Sequence, residues 1–169
     1  MNTALQQEAK DIFKDMLQIL SKFKEEQLDI IPFEGSWTAG QVAEHIIKAN
    51  AGIPKLCLGK TEKPAPDRVE KLSDMNVLFN NYSIKMDSPK SIVPTSTNNL
   101  LEPILTSIKT IESDFINVIK SEDLSLICLD FAFPTFGYLS RSEWINFGLI
   151  HTKRHSHQLV NILDKLNTI

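Results

Sequence analysis

The stretch from Ser140 to Leu166 restricts the fold of this chain more than any other part of it. Ser140-Arg141-Ser142-Glu143 fits a capping box, in which a hydroxyl and a carboxylate satisfy each other's exposed backbone donors at a helix start. Turning the following residues by about 100° each gathers Trp144, Gly148, His151, His155, Leu159, Ile162 and Leu166 into one narrow stripe. Asn146, Lys153, His157 and Asp164 fall on the far side. An apolar stripe must face other elements, so this helix needs helical neighbours. Its core-facing side also carries two imidazoles one turn apart. Burying an imidazole without partners costs about 1–3 kcal/mol, and two of them repel if both are protonated.

Three further segments repeat apolar residues at helical steps. The first runs from about Thr3 to Leu28, with Leu5, Ala9, Ile12, Met16, Ile19 and Phe23 as its stripe and Lys10, Lys14, Lys22 and Lys24 between them. Pro32 and Gly35 break it. Thr38-Ala39-Gly40-Gln41 is a second capping box, and Val42, His45, Ile46, Ala49, Ile53 and Leu56 share the face of the helix it opens, with Pro54 expected to bend or end its regular part. The third long helix spans about Asn98 to Lys120, with Leu101, Ile104, Ile108, Ile111, Phe115 and Val118 in register and Pro103 near its start. Between the second and third helices lie a turn-like stretch from Gly59 to Pro66, a short helix predicted over 67–80, with Val69, Leu72, Val77 and Leu78 apolar, and a proline-bearing loop from Ser88 to Ser96. A connector of that length permits a crossover, so the two helices it joins can run parallel. The expected architecture is all-α: a four-helix bundle with a long crossover between helices two and three, and residues 1–169 as a single domain.

The segment from Ser121 to Leu139 concentrates Phe131, Phe133, Phe136 and Tyr138. So many aromatic rings are not expected to face water together. They predict a loop lying against the bundle and covering one end, with a β-hairpin as the alternative.

Composition narrows the function classes. A net charge of −3 and a pI near 5.8 leave no basic footprint for nucleic acid. Cys57 and Cys128 form no CxxC pair and read as two small buried hydrophobes in a reducing interior. Met1 to Gln7 lack the pattern of a signal peptide, and no apolar run reaches membrane length, which places the chain in the cytoplasm.

His45 falls inside the stripe of the second helix. If that helix and the last one are neighbours, His45, His151 and His155 converge inside the bundle. A lone core histidine is usually just hydrogen-bonded, but here three of the four histidines land on core faces, with only His157 pointing outward. A divalent metal ion answers the burial problem, because it takes the lone pair of each neutral ring. The spacing of His151 and His155 sets their nitrogens about 6 Å apart along the axis, a gap one ion can bridge. Three protein ligands leave a coordination position open, as in catalytic sites. His151-Thr152-Lys153-Arg154-His155 lacks the glutamate of a zincin protease motif. No residue identifies itself as the general base. Glu44 precedes His45 but turns about 100° away from it, Asn50 and Arg154 flank the two stripes as candidates to touch a substrate or to support the ligands, and Phe147 and Val160 lie on an outer face that could serve a partner.

Taken together, Trp37-Thr38-Ala39-Gly40-Gln41-Val42-Ala43-Glu44-His45-Ile46, Phe133-Pro134-Thr135-Phe136-Gly137-Tyr138-Leu139-Ser140 and His151-Thr152-Lys153-Arg154-His155-Ser156-His157-Gln158-Leu159 resemble the DinB/YfiT-like superfamily over nearly the whole chain. The resemblance implies a four-helix bundle of up-down-down-up order, often a homodimer, with a three-histidine site on His45, His151 and His155 that takes nickel or zinc. Characterised relatives include thiol S-transferases and a thiol-dependent isomerase. It therefore implies a metal-dependent enzyme that passes a low-molecular-weight thiol to a small electrophile. A metal-dependent hydrolase and a non-catalytic stress protein with a structural metal are the alternatives.

Overall fold

A computed structural model describes residues 2–84 and 86–168; Met1, Lys85 and Ile169 lie outside the described residues. The chain is helical, with α1 over Thr3–Leu20, α2 over Ala39–Cys57, α3 over Leu72–Phe79, α4 over Leu101–Ser121 and α5 over Arg141–Leu166. A two-stranded antiparallel ladder, β1 over Thr61–Glu62 and β2 over Ile127–Cys128, is the one departure from an all-α fold among the described residues.

Both predicted capping boxes open helices. The Thr38 N–H donates to Gln41 Oε1 at 3.1 Å, and the Gln41 N–H donates to Thr38 Oγ1 at 3.2 Å. Ser140 and Glu143 make the same exchange at 2.7 and 3.1 Å at the start of α5. Each such cap stabilises its helix by about 1 kcal/mol. Glu143 does more: it also accepts from the Lys71 N–H at 2.6 Å and pairs with Arg68, so the first turn of α5 anchors the connector. Pro54 does not end α2, which continues to Cys57.

α1 differs from expectation in length and in face. It stops at Leu20, and a single 3-10 turn over Glu25–Gln27 follows in place of continued α-helix. Phe23 and Leu28 stay buried because the chain folds back over the bundle end there, and the Gly40 N–H donates to the Leu28 carbonyl at 2.8 Å. The buried face is Ala9, Phe13, Met16 and Leu20. Phe13 replaces the expected Ile12 and meets Phe115 of α4 edge-on, 5.4 Å between ring centroids. Fully buried side chains of this size contribute about 1.5–3 kcal/mol each.

α1 and α2 each pack on both α4 and α5, and α3 packs on α5. The start of α4 meets the α1–α2 turn, where the Leu101 N–H donates to Glu25 and Asn99 Nδ2 donates to Asp29. The start of α5 meets the end of α2, where Arg141 Nε donates to the Cys57 carbonyl at 2.6 Å.

The segment after α4 fulfils its expectation in part. Phe133 packs on Phe79, Trp144 and Phe147, but Phe131 and Tyr138 are half exposed. The chain turns tightly between Phe133 and Gly137, whose φ of 71° is the left-handed region that glycine adopts without strain. Before that turn, β2 pairs with β1, Thr61 opposite Cys128. In the connector, helix α3 is shorter than the span predicted over 67–80. It buries Met75 and Phe79 while Val69 and Val77 face solvent. Cys57 and Cys128 are free and fully buried, as expected. The hydrogen bond to Cys128, reinforced by burial, pushes the Cys57 thiol far above its usual range. No described helix is long and apolar enough to cross a membrane.

Candidate metal centre

The fold brings together the three histidines that the helical stripes singled out. His45 comes from α2, and His151 and His155 from consecutive turns of α5. Their relative exposures are 2%, 6% and 8%, so all three rings are inside the protein. His45 Nε2 stands 3.2 Å from His151 Nε2, and His155 Nε2 stands 3.1 Å from the same atom. The rings are steeply inclined to one another, meeting at their nitrogen edges rather than stacking.

Two of the three outer nitrogens meet an acceptor that directs the Nε2 lone pair inward, while His151 Nδ1 is buried without a partner. His45 Nδ1 lies 2.8 Å from the Ile92 carbonyl, which can only accept, so Nδ1 carries the proton. His155 Nδ1 lies 2.7 Å from Gln158 Oε1 and donates to it. In a neutral ring, a proton on Nδ1 leaves the lone pair on Nε2. Burial holds the His45 imidazole below its usual pKa and lowers His155 to about 3. His151 is held well below the ordinary value, first by burial and then by His155, His45 and Arg154. At neutral pH the centre therefore presents uncharged nitrogen donors crowded against one another.

Two nitrogen ligands at about 2.1 Å from one ion stand roughly 3.0 Å apart at a right angle and roughly 3.4 Å apart at a tetrahedral angle. The observed 3.1 and 3.2 Å fall between those limits. Two of the three pairs thus stand as ligands of one divalent ion would, all three donors lie within 4.8 Å of one another, and among the described residues no carboxylate or thiol joins them. Imidazole donors suit zinc, copper, iron and nickel alike.

Aromatic rings surround the centre. Trp37 leans on His45 at 5.0 Å between centroids, and Phe147 stacks on His151 at 5.3 Å and 15°. Phe79 meets His151 edge-on. Phe147, expected on an outer face, is instead buried in this wall with Phe79, Phe133 and Trp144, because the connector and the aromatic turn cover that side of α5. Val160 does stay partly exposed.

The flanking polar residues hold the connector in place. Glu44 accepts from the Thr95 and Ser96 N–H groups at 2.9 and 2.8 Å and pairs with Lys48 at 2.7 Å. Partial burial would raise its pKa, but the hydrogen bonds from Lys48, Ser96 and Thr95 outweigh that and hold it at about 2. Arg154 donates to the carbonyls of Phe79, Asn81 and Ile84. Asn50 Nδ2 donates to Thr152 Oγ1 at 2.7 Å, and that hydroxyl donates to the Gly148 carbonyl at 2.7 Å, a buried polar link between α2 and α5. Gly148 itself leaves no room: a Cβ there would stand 2.7 Å from Phe115 Cζ and 2.9 Å from Ile53 Cδ1. His157 points outward as expected and stacks on Tyr82. The sequence reading missed two supports. Gln158, three residues after His155, was detectable from helical spacing. The Ile92 carbonyl had no sequence signal, since any residue could supply it.

The family described as the DinB superfamily has a model that matches residues 10–159 of this chain. A crystal structure from Exiguobacterium sibiricum 255-15, provisionally assigned to the DinB family, is similar at a TM-score of 0.54 and 16% identity, over 97% of this chain and 90% of that one. At that identity the likeness speaks for the fold alone. No curated protein matches the sequence.

Proposed function

This chain belongs to the DinB superfamily, and on that premise we propose that His45, His151 and His155 hold one divalent ion, nickel or zinc, in a metal-dependent enzyme. The reaction we propose is transfer of a low-molecular-weight thiol to a small electrophile. The observation that carries the reading is the convergence of three buried imidazoles, with His151 Nε2 3.2 and 3.1 Å from the Nε2 atoms of His45 and His155 and no fourth ligand among the described Cys, Asp and Glu residues. When bound, such an ion lowers the pKa of a thiol or water and keeps a nucleophile available at neutral pH.

The chain's own residues prepare that chemistry. Ile92 and Gln158 turn the Nε2 lone pairs of His45 and His155 inward. Trp37, Phe79 and Phe147 keep bulk water from the rings, which strengthens electrostatic interactions there. Glu44 and Arg154 are committed to connector backbone, so we assign neither a role as general base. The helix ends that meet support reading the fold as an up-down-down-up four-helix bundle forming one domain. A cytoplasmic setting and a homodimer complete the proposal, the dimer to be tested by sedimentation.

The first experiment is elemental analysis of the purified protein beside His151→Ala. About one equivalent of metal in the wild type and little in the variant is expected; equal content in both refutes the site. Next, S-conjugation of a reactive electrophile is assayed with several small thiols. Ester or amide turnover with no stimulation by any thiol replaces the transferase reading with a hydrolase. The depth of the rings, at most 8% exposed, favours a second reading in which the metal is structural. That reading predicts that chelation lowers the melting temperature while no substrate is turned over.

A further inference from the structure

We infer that Gln158 is a positioning residue whose carbonyl oxygen fixes His155 as an Nε2 ligand. The inference rests on the metal-centre reading above. Residues three apart on a helix are neighbours, and side chains lean toward the N-terminus, so Gln158 reaches back over the turn that carries His155. Its Oε1 lies 2.7 Å from His155 Nδ1. The amide oxygen accepts the Nδ1 proton and commits the ring to the tautomer with a free Nε2 lone pair. His155 Nε2 is the atom that meets His151 Nε2 at 3.1 Å. Without an acceptor at Nδ1, nothing at that end of the ring selects this tautomer, and a proton on Nε2 would occupy the position a metal needs. His45 is fixed in the same way by a backbone carbonyl, which no side-chain substitution removes. Gln158 is thus the side-chain handle on ligand orientation. Partners of this kind typically change metal affinity about 10- to 100-fold when removed.

The test compares wild type, Gln158→Leu and Gln158→Glu. Glutamate keeps an acceptor oxygen where leucine has none. Histidine-labelled, metal-free protein reports the His155 tautomer through its ring nitrogen chemical shifts. Zinc affinity is read by competition with a chromophoric chelator, and urea unfolding of the metal-free proteins checks that each variant is folded. Expected are the Nδ1–H tautomer in wild type and Gln158→Glu, its loss in Gln158→Leu, zinc binding weakened about 10- to 100-fold in the leucine variant, and binding at or above the wild-type level in the glutamate variant. An unchanged His155 tautomer in the leucine variant overturns the inference, and so does zinc affinity equal to that of wild type. Failure of the wild type to take up zinc or nickel overturns the metal-centre reading and this inference with it, a result distinct from equal uptake by all three proteins.

Discussion

Acidification should destabilise the metal-free protein through His155 in particular. This ring is 8% exposed, and burial lowers its pKa from the ordinary 6.5 to about 3. A depressed imidazole binds fewer protons in the folded chain than in the unfolded one. Its contribution to stability is therefore intact above pH 6.5 and is lost progressively as pH falls toward 3. Each unit of that interval is worth about 1.4 kcal/mol. Lowering the pH from 7 to 5 crosses the first one and a half units or so and should remove about 2 kcal/mol through this residue alone. His45 and His151 are depressed in the same direction, so the total loss in wild type is larger. Urea unfolding at pH 7 and pH 5, with a chelator present to exclude metal linkage, measures it. The wild type should lose about 2 kcal/mol more between the two pH values than His155→Ala does. Identical pH dependence in the two proteins would show that the ring is solvated enough to keep an ordinary pKa, and the picture of a buried centre of neutral donors would fail.

Gly148→Ala should destabilise the fold by about 1–3 kcal/mol in urea despite the better helix propensity of alanine, because the new methyl would press on Phe115 and Ile53; an unchanged or raised midpoint would contradict the packing described. Arg68→Ala leaves the Glu143 carboxylate, 2% exposed, with only its backbone donors, and a loss of about 1–3 kcal/mol in thermal or urea unfolding is expected. Glu44→Ala removes the acceptor for the Thr95 and Ser96 N–H groups, so their hydrogen-exchange protection should fall while that of α4 is retained. Protection unchanged at both amides would mean the connector is held by other contacts.

Two helix starts and the three-histidine cluster were legible in the sequence because each rests on local rules. Capping residues at fixed spacing marked Thr38 and Ser140, and helical periodicity put His45, His151 and His155 on core faces. What escaped depends on distant parts of the chain. The apolar rhythm of α1 continues through Phe23 and Leu28, but those side chains enter the core from a turn, which periodicity alone does not distinguish from more helix. Ile12 and Phe13 are both compatible with the spacing around Ala9 and Met16, and the Phe115 ring opposite decides for Phe13. Phe147 lies off the narrow stripe and looked external. It is buried because Phe79 and Phe133, from two separate connecting segments, come to cover it. The pairing of β1 with β2 joins residues more than sixty positions apart, and neither two-residue strand carries a pattern of its own. Glu44 and Arg154 meet backbone atoms of the connector, partners that leave no trace in residue identity.

The Asn50–Thr152–Gly148 link fixes the axial alignment of α2 and α5 together with the Arg141 bond to the Cys57 carbonyl and the close fit of Gly148 against Ile53. A slip of a single residue amounts to about 1.5 Å along the axis. That displacement would pull the His45 nitrogen out of coordinating range of the pair on the opposite rod, while burying nearly the same hydrocarbon. The amide and hydroxyl thus act as a key in a slot, one directional lock added to a contact that the Gly148 notch and the Arg141 bond already restrict.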